Sequence, residues 1–441
     1  MRVFTARREW LAQEGLRLDA TTYGVGGLEA RDRITGGRFQ YAPLGKIAEL
    51  FSGPRFARTY VHDPSRGTKF LSSSDILLAD LQGINYLSNA ATPFLPQITI
   101  REGWTLISCS GTVGNTAYTR PEMDGLAASQ HVMRAVPKDG ATAPGYLFAF
   151  LTSSRGQALI KQRTYGSIIQ HIEPHHIADM PVPLADDDFQ RRIHDLVAGA
   201  AAARTEAARL LDVASAHFDV KAGQLPSLHE HAFAAGSVPR TSLGTRLDAF
   251  HHVGWTREAS VQTGDRIDDL AEVISTARVP RIYVEGGVPF LSGIDVFRIR
   301  PTVRVRLARF VADEFDARVR AGELAVQGSG QRYGLLGRAA YVGTMLDGWA
   351  ASHDLFRIRA TNRETIARIF TFVRSETGRR SMLRHSYGTS IPHVNPQGIA
   401  AVRVPPLPMD LVASAVSALE MRDQADADEG RAIREVEAWL G

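Results

Sequence analysis

Three histidines crowd into YGSIIQHIEPHHIADMPVPL, Tyr165 to Leu184: His171, His175 and His176, two of them side by side. Imidazoles at such spacing could ligate a transition metal or run general acid–base chemistry. A second stretch, YGTSIPHVNPQGIAAVRVPPLP from Tyr387 to Pro408, weighs against both readings. It aligns with the first without a gap at an offset of 222 residues, and from Tyr165 to Pro183 nine of nineteen positions are identical to their counterparts. His393 stands opposite His171, whereas Gln397 and Gly398 stand opposite His175 and His176. A chemistry that needs the adjacent histidines cannot run in both copies. What the copies share is Tyr-Gly, then Ile, His, Pro and a proline-closed strand leading into a helix, which reads as a hinge. His171 and His393 are expected to be capping or core histidines.

Other signals for catalysis fail. VNPQG at Val394 to Gly398 superficially suggests the Asn-Pro-Pro-aromatic loop of amino-methyltransferases, which holds the target amine and stacks the flipped base. Here the second proline and the aromatic are missing, and the first copy has Glu173 in place of Asn395. No strand-borne glycine-rich cofactor loop precedes it. With only Lys46, Lys69, Lys138, Lys161 and Lys221, no carboxylate-pair-plus-lysine nuclease pattern emerges. His229 to His231, HEH, has no further ligands nearby. The expectation is a chain with no catalytic residues, no metal and no cofactor.

The composition is that of an ordinary globular protein, with 44% hydrophobic and 22% charged residues, and 441 residues suggest two or more domains. Cys109 is the only cysteine, which excludes an intramolecular disulfide and any multi-cysteine zinc or iron–sulfur site. No stretch has the apolar core of a signal peptide or the length of a membrane span, so a cytoplasmic protein with no membrane partner is expected. The net charge is only +4, yet almost all the positive charge is arginine, with nine arginines between Arg278 and Arg320. Arginine forks suit phosphates and guanine edges, although a genome rich in arginine codons gives the same composition.

The repeat continues outward from the opening motif. RLDAT at Arg17 matches RLDAF at Arg246, FSGPRFARTYV from Phe51 matches ISTARVPRIYV from Ile274, and KFLSSSDI from Lys69 matches PFLSGIDV from Pro289. SGTVGN at Ser110 finds SGQRYG at Ser329, ASQHVMR at Ala128 finds ASHDLFR at Ala351, and FAFLTSSRG from Phe148 finds FTFVRSETG from Phe370. Seven blocks in one order make two divergent copies of a single unit. Within a unit, WTLISCSG and HVMRAVP read as strands, PGYLFAFLTSSRGQALIKQR and NRETIARIFTFVRSETGRRSMLRH as helices, and IADMPVPL and IAAVRVPPL as short strands closed by prolines. After each unit comes a long helix. In the first, Phe189, Ile193, Leu196, Ala200, Ala203, Ala207, Leu210 and Ala214 form a narrow seam; in the second, Leu411, Val412, Val416, Leu419, Ile433, Val436 and Leu440 do. Neither can bury its seam alone, which predicts an antiparallel pair. Lys221 to Gly244 is a Gly/Pro/Ser-rich connection.

Unit, long helix, unit, long helix, with RLDA near the start of each unit and SGTVG midway, resembles the specificity (S) subunit of type I restriction-modification systems over essentially the whole chain. The most specific pieces are LISCSGTVGN, YGSIIQHIEPHHIADMPVPL followed by Gln190 and a long helix, and the second copy at Tyr387. The resemblance implies a mixed α/β (α+β) fold: two tandem, structurally similar target recognition domains at 1–184 and 223–408, separated by spacer helices at 185–222 and 409–441 that pack as an antiparallel coiled coil. It further implies that each domain reads one half of a split double-stranded DNA target, that the helices set the gap, and that the chain, itself non-catalytic, docks two DNA methyltransferase (M) subunits and, where present, restriction (R) subunits. A nucleoid-associated protein of anti-phage defence follows. A helix of about 35 residues spans on the order of 50 Å, or roughly fifteen base pairs. Divergent copies imply different half-sites and an asymmetric target. An S-like adaptor of another anti-phage assembly is the alternative; a self-contained methyltransferase or nuclease lacks its motifs here.

The residues expected to meet DNA follow from the repeat. The loop with Ser110, Thr112 and Asn115, and its counterpart at Ser329 to Gly334, combine small residues with donors and allow close approach to a phosphate, or simply make tight turns. Gln331, Arg332 and Tyr333 offer bidentate and stacking contacts together. The second loop departs from the SGTVG pattern, as base-specific shaping would require. Arg55 and Arg58 are echoed by Arg278 and Arg281, which fits either a phosphate role common to both units or an ion pair inside each. Lys69, Ser167, Gln170, Thr389 and Ser390 complete the set.

Overall fold

The computed structural model describes residues 5–13, 20–111, 113–166, 170–219, 237–238, 240, 246–252 and 263–441. Two compact units emerge, residues 1–205 with 424–441 and residues 206–423. The long helices are therefore shared out between the units, where the sequence suggested separate spacer pieces. The Lys221 to Gly244 connection and HEH lie, apart from three residues of the former, outside the described residues. Among the described residues no helix is long and apolar enough to cross a membrane.

In the first unit the strands are β1 (Tyr41–Pro43), β2 (Ala48–Ser52), β3 (Tyr60–Val61), β4 (Gly67–Leu71), β5 (Tyr86–Ser88), β6 (Thr105–Ser108), β7 (Thr116–Tyr118), β8 (Ala127–Ala128), β9 (Val132–Pro137) and β10 (Pro181–Pro183). They make a four-stranded sheet in the order β2-β9-β6-β7, a second in the order β3-β5-β4-β8, and the pair β1-β10. In the second unit β11 (Asp265–Arg266), β12 (Glu272–Ile274), β13 (Tyr283–Leu291), β14 (Arg306–Leu307), β15 (Leu324–Gln327), β16 (Ala339–Tyr341), β17 (Ala350–Ala351), β18 (Leu355–Arg359) and β19 (Arg403–Val404) give the sheet β12-β18-β15-β16, the sheet β14-β13-β17 and the pair β11-β19. The main sheets match strand for strand. Registers match too: Leu106 faces Arg134 as Ala325 faces Arg357, and the parallel pair Phe70–Ala127 recurs as Phe290–Ala350. The repeat read from the blocks is a repeat of topology.

Each apolar stretch expected as one helix is two. In the first unit these are α1 (Pro144–Thr152) and α2 (Ser154–Gln162), and α3 (Pro174–Ile177) follows them. The break is built by Ser153, whose hydroxyl donates to the Phe150 carbonyl at 2.6 Å and accepts from the Gly156 amide at 3.2 Å. A Cβ on Gly156 would overlap the Phe150 carbonyl, so only glycine lets the second helix start so close to the first. The second unit repeats the device with Ser375, Phe372 and Gly378. The signal was the shared Ser-x-x-Gly, hidden under an apolar spacing that runs through it.

The long helices are α4 (Asp187–Ala216) and, after α5 (Arg363–Arg374), α6 (Glu376–Arg384) and α7 (Pro396–Ala400), α8 (Met409–Leu440). In the first unit Ile193, Val197 and Ala201 share a core with Ala432, Ile433, Val436 and Leu440; in the second, Ala207 and Leu211 share one with Ala415, Ala418 and Leu419. Chain directions are opposed in both places. The expected seam is half right: Ile193, Ala200, Ala207 and Ala214 are buried, but the alternate row is Val197, Arg204 and Leu211 rather than Leu196, Ala203 and Leu210. Arg204 explains the shift. Its guanidinium lies inside the first unit between Asp426, at 2.7 Å, and Glu429, and also donates to the Ala425 carbonyl. Burial works against its charge, yet Glu429 and Asp426 outweigh burial, so its proton is held more tightly than an ordinary arginine's. In the first unit the cluster sits beside the buried Ala425, ahead of Ala432 and Ile433 in α8.

Candidate nucleic-acid interface

The hinge at Tyr165 is a backbone device. His171 exchanges both main-chain hydrogen bonds with Tyr165 and bridges Ser110; His393 does the same with Tyr387 and Ser329. Each unit therefore clamps its Ser-Gly loop against its Tyr-Gly turn, joining two motifs that the sequence placed far apart. Beyond the turn, the Glu173 amide donates to His176 Nδ1 at 3.0 Å over the first turn of α3, and Asn395 Oδ1 receives the Gly398 amide at 2.7 Å over α7. Asn395 is a helix cap, not a base-holding amide. Glu173, His175 and His176 hold possible ligand atoms within 4.8 Å of one another. An Nδ1 that accepts the cap bond leaves the proton on Nε2 in the neutral ring, which makes His176 a poor metal ligand at either nitrogen.

In the first unit, Ser110 Oγ lies 2.8 Å from His131 Nδ1 and 2.9 Å from His171 Nδ1. His131 Nε2 meets the Gln130 amide at 3.2 Å, and Gln130 Oε1 accepts from exposed Arg58 at 3.1 Å. Arg58 also lies over the Phe70 ring, against which Tyr60 packs edge-on. Burial, Arg58, His171 and Arg55 all push the His131 pKa below its ordinary value. Tyr165, whose hydroxyl donates to Glu173 at 2.9 Å, is pushed up by that bond. Arg55 and Gln170 are exposed; Lys69 is half-buried and donates to the Leu81 carbonyl at 3.0 Å; the Asn115 amide donates to Ser108 Oγ, and the Ser108 amide donates to the Asn115 carbonyl. Thr112 and Ser167 lie outside the described residues.

In the second unit the SGQRYG loop meets the Tyr387 turn, Gln331 donating to the Ser390 carbonyl at 3.3 Å. Arg332 is spent inward: it stacks 3.7 Å from the Phe250 ring centre, and donates to Ser386 Oγ and the Gly388 carbonyl. Burial is the first reason its pKa is lowered, with Arg246 adding to it and Asp248 opposing. Arg246, the arginine of RLDA, donates to the Ser386 carbonyl at 2.6 Å and pairs with Asp248, so this motif braces the turn; its first-unit counterpart lies outside the described residues from Arg17 to Asp19. Tyr333, Thr389, Ser390, Arg278 and Arg281 remain exposed, Tyr333 at 65%.

The sequence reading missed a pair of tyrosines. Tyr60 and Tyr283 occupy equivalent positions, are 45% and 42% exposed, and stand edge-on to the equivalent Phe70 and Phe290. Both follow the echoed arginines in FARTYV and VPRIYV, so the signal was present. It also missed how much of the basic stretch is structural. Arg298 is buried against Asp295, Arg318 binds Asp313, and Arg306 and Arg309 donate to the Gly287 and Gly286 carbonyls.

No protein-family model and no curated protein matches the sequence. Among solved structures the chain is similar to the type I restriction-modification S subunit from M. genitalium, with 12% identity over 92% of this chain and 95% of that one at a TM-score of 0.31. It is also similar to the HsdS subunit from Thermoanaerobacter tengcongensis, with 16% identity, 92% and 94% coverage and a TM-score of 0.26. A third similar chain, from a study of complex assembly and conformational transition of the type I R-M system, shows 16% identity, 91% and 94% coverage and a TM-score of 0.28. Such identities and TM-scores carry no residue role from one chain to another.

Proposed function

We propose that the chain is the DNA-reading specificity subunit of a type I restriction-modification complex. The observation that carries this reading is a pair of equivalent, exposed faces: Arg55, Arg58 and Tyr60 beside the clamped Ser110–His171 loop, and Arg278, Arg281 and Tyr283 in the unit with the clamped Ser329–His393 loop. Exposed guanidinium groups beside exposed aromatics supply phosphate contacts and planar surfaces for bases and sugars, and the two faces differ in their loops. Each unit reads one half of a bipartite, asymmetric double-stranded target. The helices set the spacing and dock two DNA methyltransferase subunits, with restriction subunits as further partners.

Co-expression with the neighbouring genes, followed by mapping of modified bases, tests this. A split, asymmetric methylation motif that changes in one half when the first unit is exchanged supports the reading. No motif, or one that is unchanged by the exchange, refutes it; methylation by the purified chain alone would favour a self-contained enzyme.

A further inference from the structure

Five side chains of the first unit form one continuous hydrogen-bonded line: Arg58, Gln130, His131, Ser110 and His171. Its polarity is fixed from one end. Arg58 can only donate, so Gln130 Oε1 accepts and its amide nitrogen donates onward. His131 Nε2 is therefore the acceptor, and its proton sits on Nδ1, from which it donates to Ser110 Oγ. Ser110 has one proton left to give, and gives it to His171 Nδ1. The neutral His171 ring then carries its proton on Nε2.

Resting on the DNA-reading function above, we propose that this relay presets His171 as an uncharged Nε2–H donor to a backbone phosphate oxygen of bound DNA. Phosphate is the favoured acceptor because both units place a histidine at this backbone position, His171 and His393, and both carry exposed arginines, Arg55 with Arg58 and Arg278 with Arg281. A contact common to two units that read different half-sites falls on the part of DNA common to all sequences. The relay itself is absent from the second unit, where His353 and Asp354 replace Gln130 and His131. The groups bearing on the line are Arg55 and Arg58 on His131, and Arg55, Glu173 and Cys109 on Tyr165, whose ring lies 6.0 Å from that of His171. Burial first, and then Arg58, His171 and Arg55, lower the His131 pKa, which favours the uncharged ring in the directional chain.

The relay is tested on the free full-length chain by long-range nitrogen–proton NMR of its 14 histidines, with His131→Gln and His171→Gln for assignment. The expected result is His131 protonated at Nδ1, His171 protonated at Nε2, and loss of the single His171 tautomer in Ser110→Ala. Reversed tautomers, or a Ser110→Ala spectrum like the wild type, overturn the relay. The contact is tested by titrating several duplexes of unrelated sequence. His171→Gln should weaken binding about 10- to 150-fold on all of them, the value of one hydrogen bond to a charged acceptor, and leave the slope of log K against log salt unchanged. Arg58→Ala should reduce that slope by about 0.9. A slope reduced by about 0.9 in His171→Gln would mean an imidazolium, and a loss confined to one duplex would mean a base contact; either overturns the proposal. If the wild type binds no duplex while the tautomers are as expected, the DNA-reading function fails and the phosphate contact with it.

Discussion

Replacing Arg204 with methionine should be among the most damaging single changes in the chain. Arg204 and Glu429 side chains are each 6% exposed and Asp426 is 20% exposed, so the substitution takes away the guanidinium that both carboxylates share in a site with little water. Breaking a buried ion pair from one side costs about 3–5 kcal/mol. Glu429→Gln is milder, because Arg204 keeps Asp426 at 2.7 and 3.3 Å; losing one charged hydrogen bond costs about 1.5–3 kcal/mol. Arg204→Met with Asp426→Leu and Glu429→Leu removes every charge and should recover to within about 1.5 kcal/mol of the wild type. Urea unfolding followed by hydrogen exchange and mass spectrometry, read from peptides of α4 and α8 in the first unit, measures each step. If Arg204→Met costs less than about 1 kcal/mol, or if the triple variant is as weak as the single, the cluster is not the buried, mutually compensating network described.

Three other outcomes are expected. Arg55→Ala with Arg58→Ala should lower the salt slope of duplex binding by up to about 2, and Arg278→Ala with Arg281→Ala likewise, measured by anisotropy across a salt series; an unchanged slope in both would remove these arginines from the interface. Burial pushes the Cys109 thiol up to about 12, so thiol reagents at neutral pH should react only after unfolding of the first unit, and prompt labelling of the native chain would contradict its packing. Burial, first of all, together with His251, Arg384 and other cations lowers His385 to about 4, below the value of an unfolded histidine. The unfolded chain then takes up a proton that the folded chain refuses, so second-unit stability should be flat above about pH 6.5 and fall between there and about pH 4. His385→Gln should flatten that portion of the unfolding profile.

The parts of the fold that were legible in the sequence are those written in backbone and apolar pattern. Seven matched blocks foretold matched sheets, because blocks such as LISCSG and HVMRAVP are strands whose pairing depends on their alternation. Three things stayed hidden for physical reasons. Ser153 and Ser375 break a helix by hydrogen bonding, which an apolar period cannot show. Arg204 and Arg134 are interior arginines: the latter is fully buried and donates to the Ile98, Ala128, Ser129 and Val132 carbonyls, so backbone carbonyls and not a carboxylate hold its two terminal nitrogens. Arg357 takes the equivalent place in the second unit, donating to the Asp316 and Arg318 carbonyls and, unlike Arg134, also to the Asp316 carboxylate at 2.7 Å. In the site, the repeat located the loops and turns that meet, but it ranked Arg332 by residue type alone, and a cation stacked on Phe250 and bonded to two turn residues braces the loop.

The division of α8 between units has a consequence during synthesis. The second unit is contiguous, residues 206–423, whereas the first needs residues 424–441 to cover Ile193, Val197 and Arg204. Domains generally fold in the order in which they leave the ribosome, at about 5–20 residues per second. This chain inverts that order at one place: the unit made first waits tens of seconds for its last helix, with an apolar seam and an unneutralised guanidinium open to water and to chaperones.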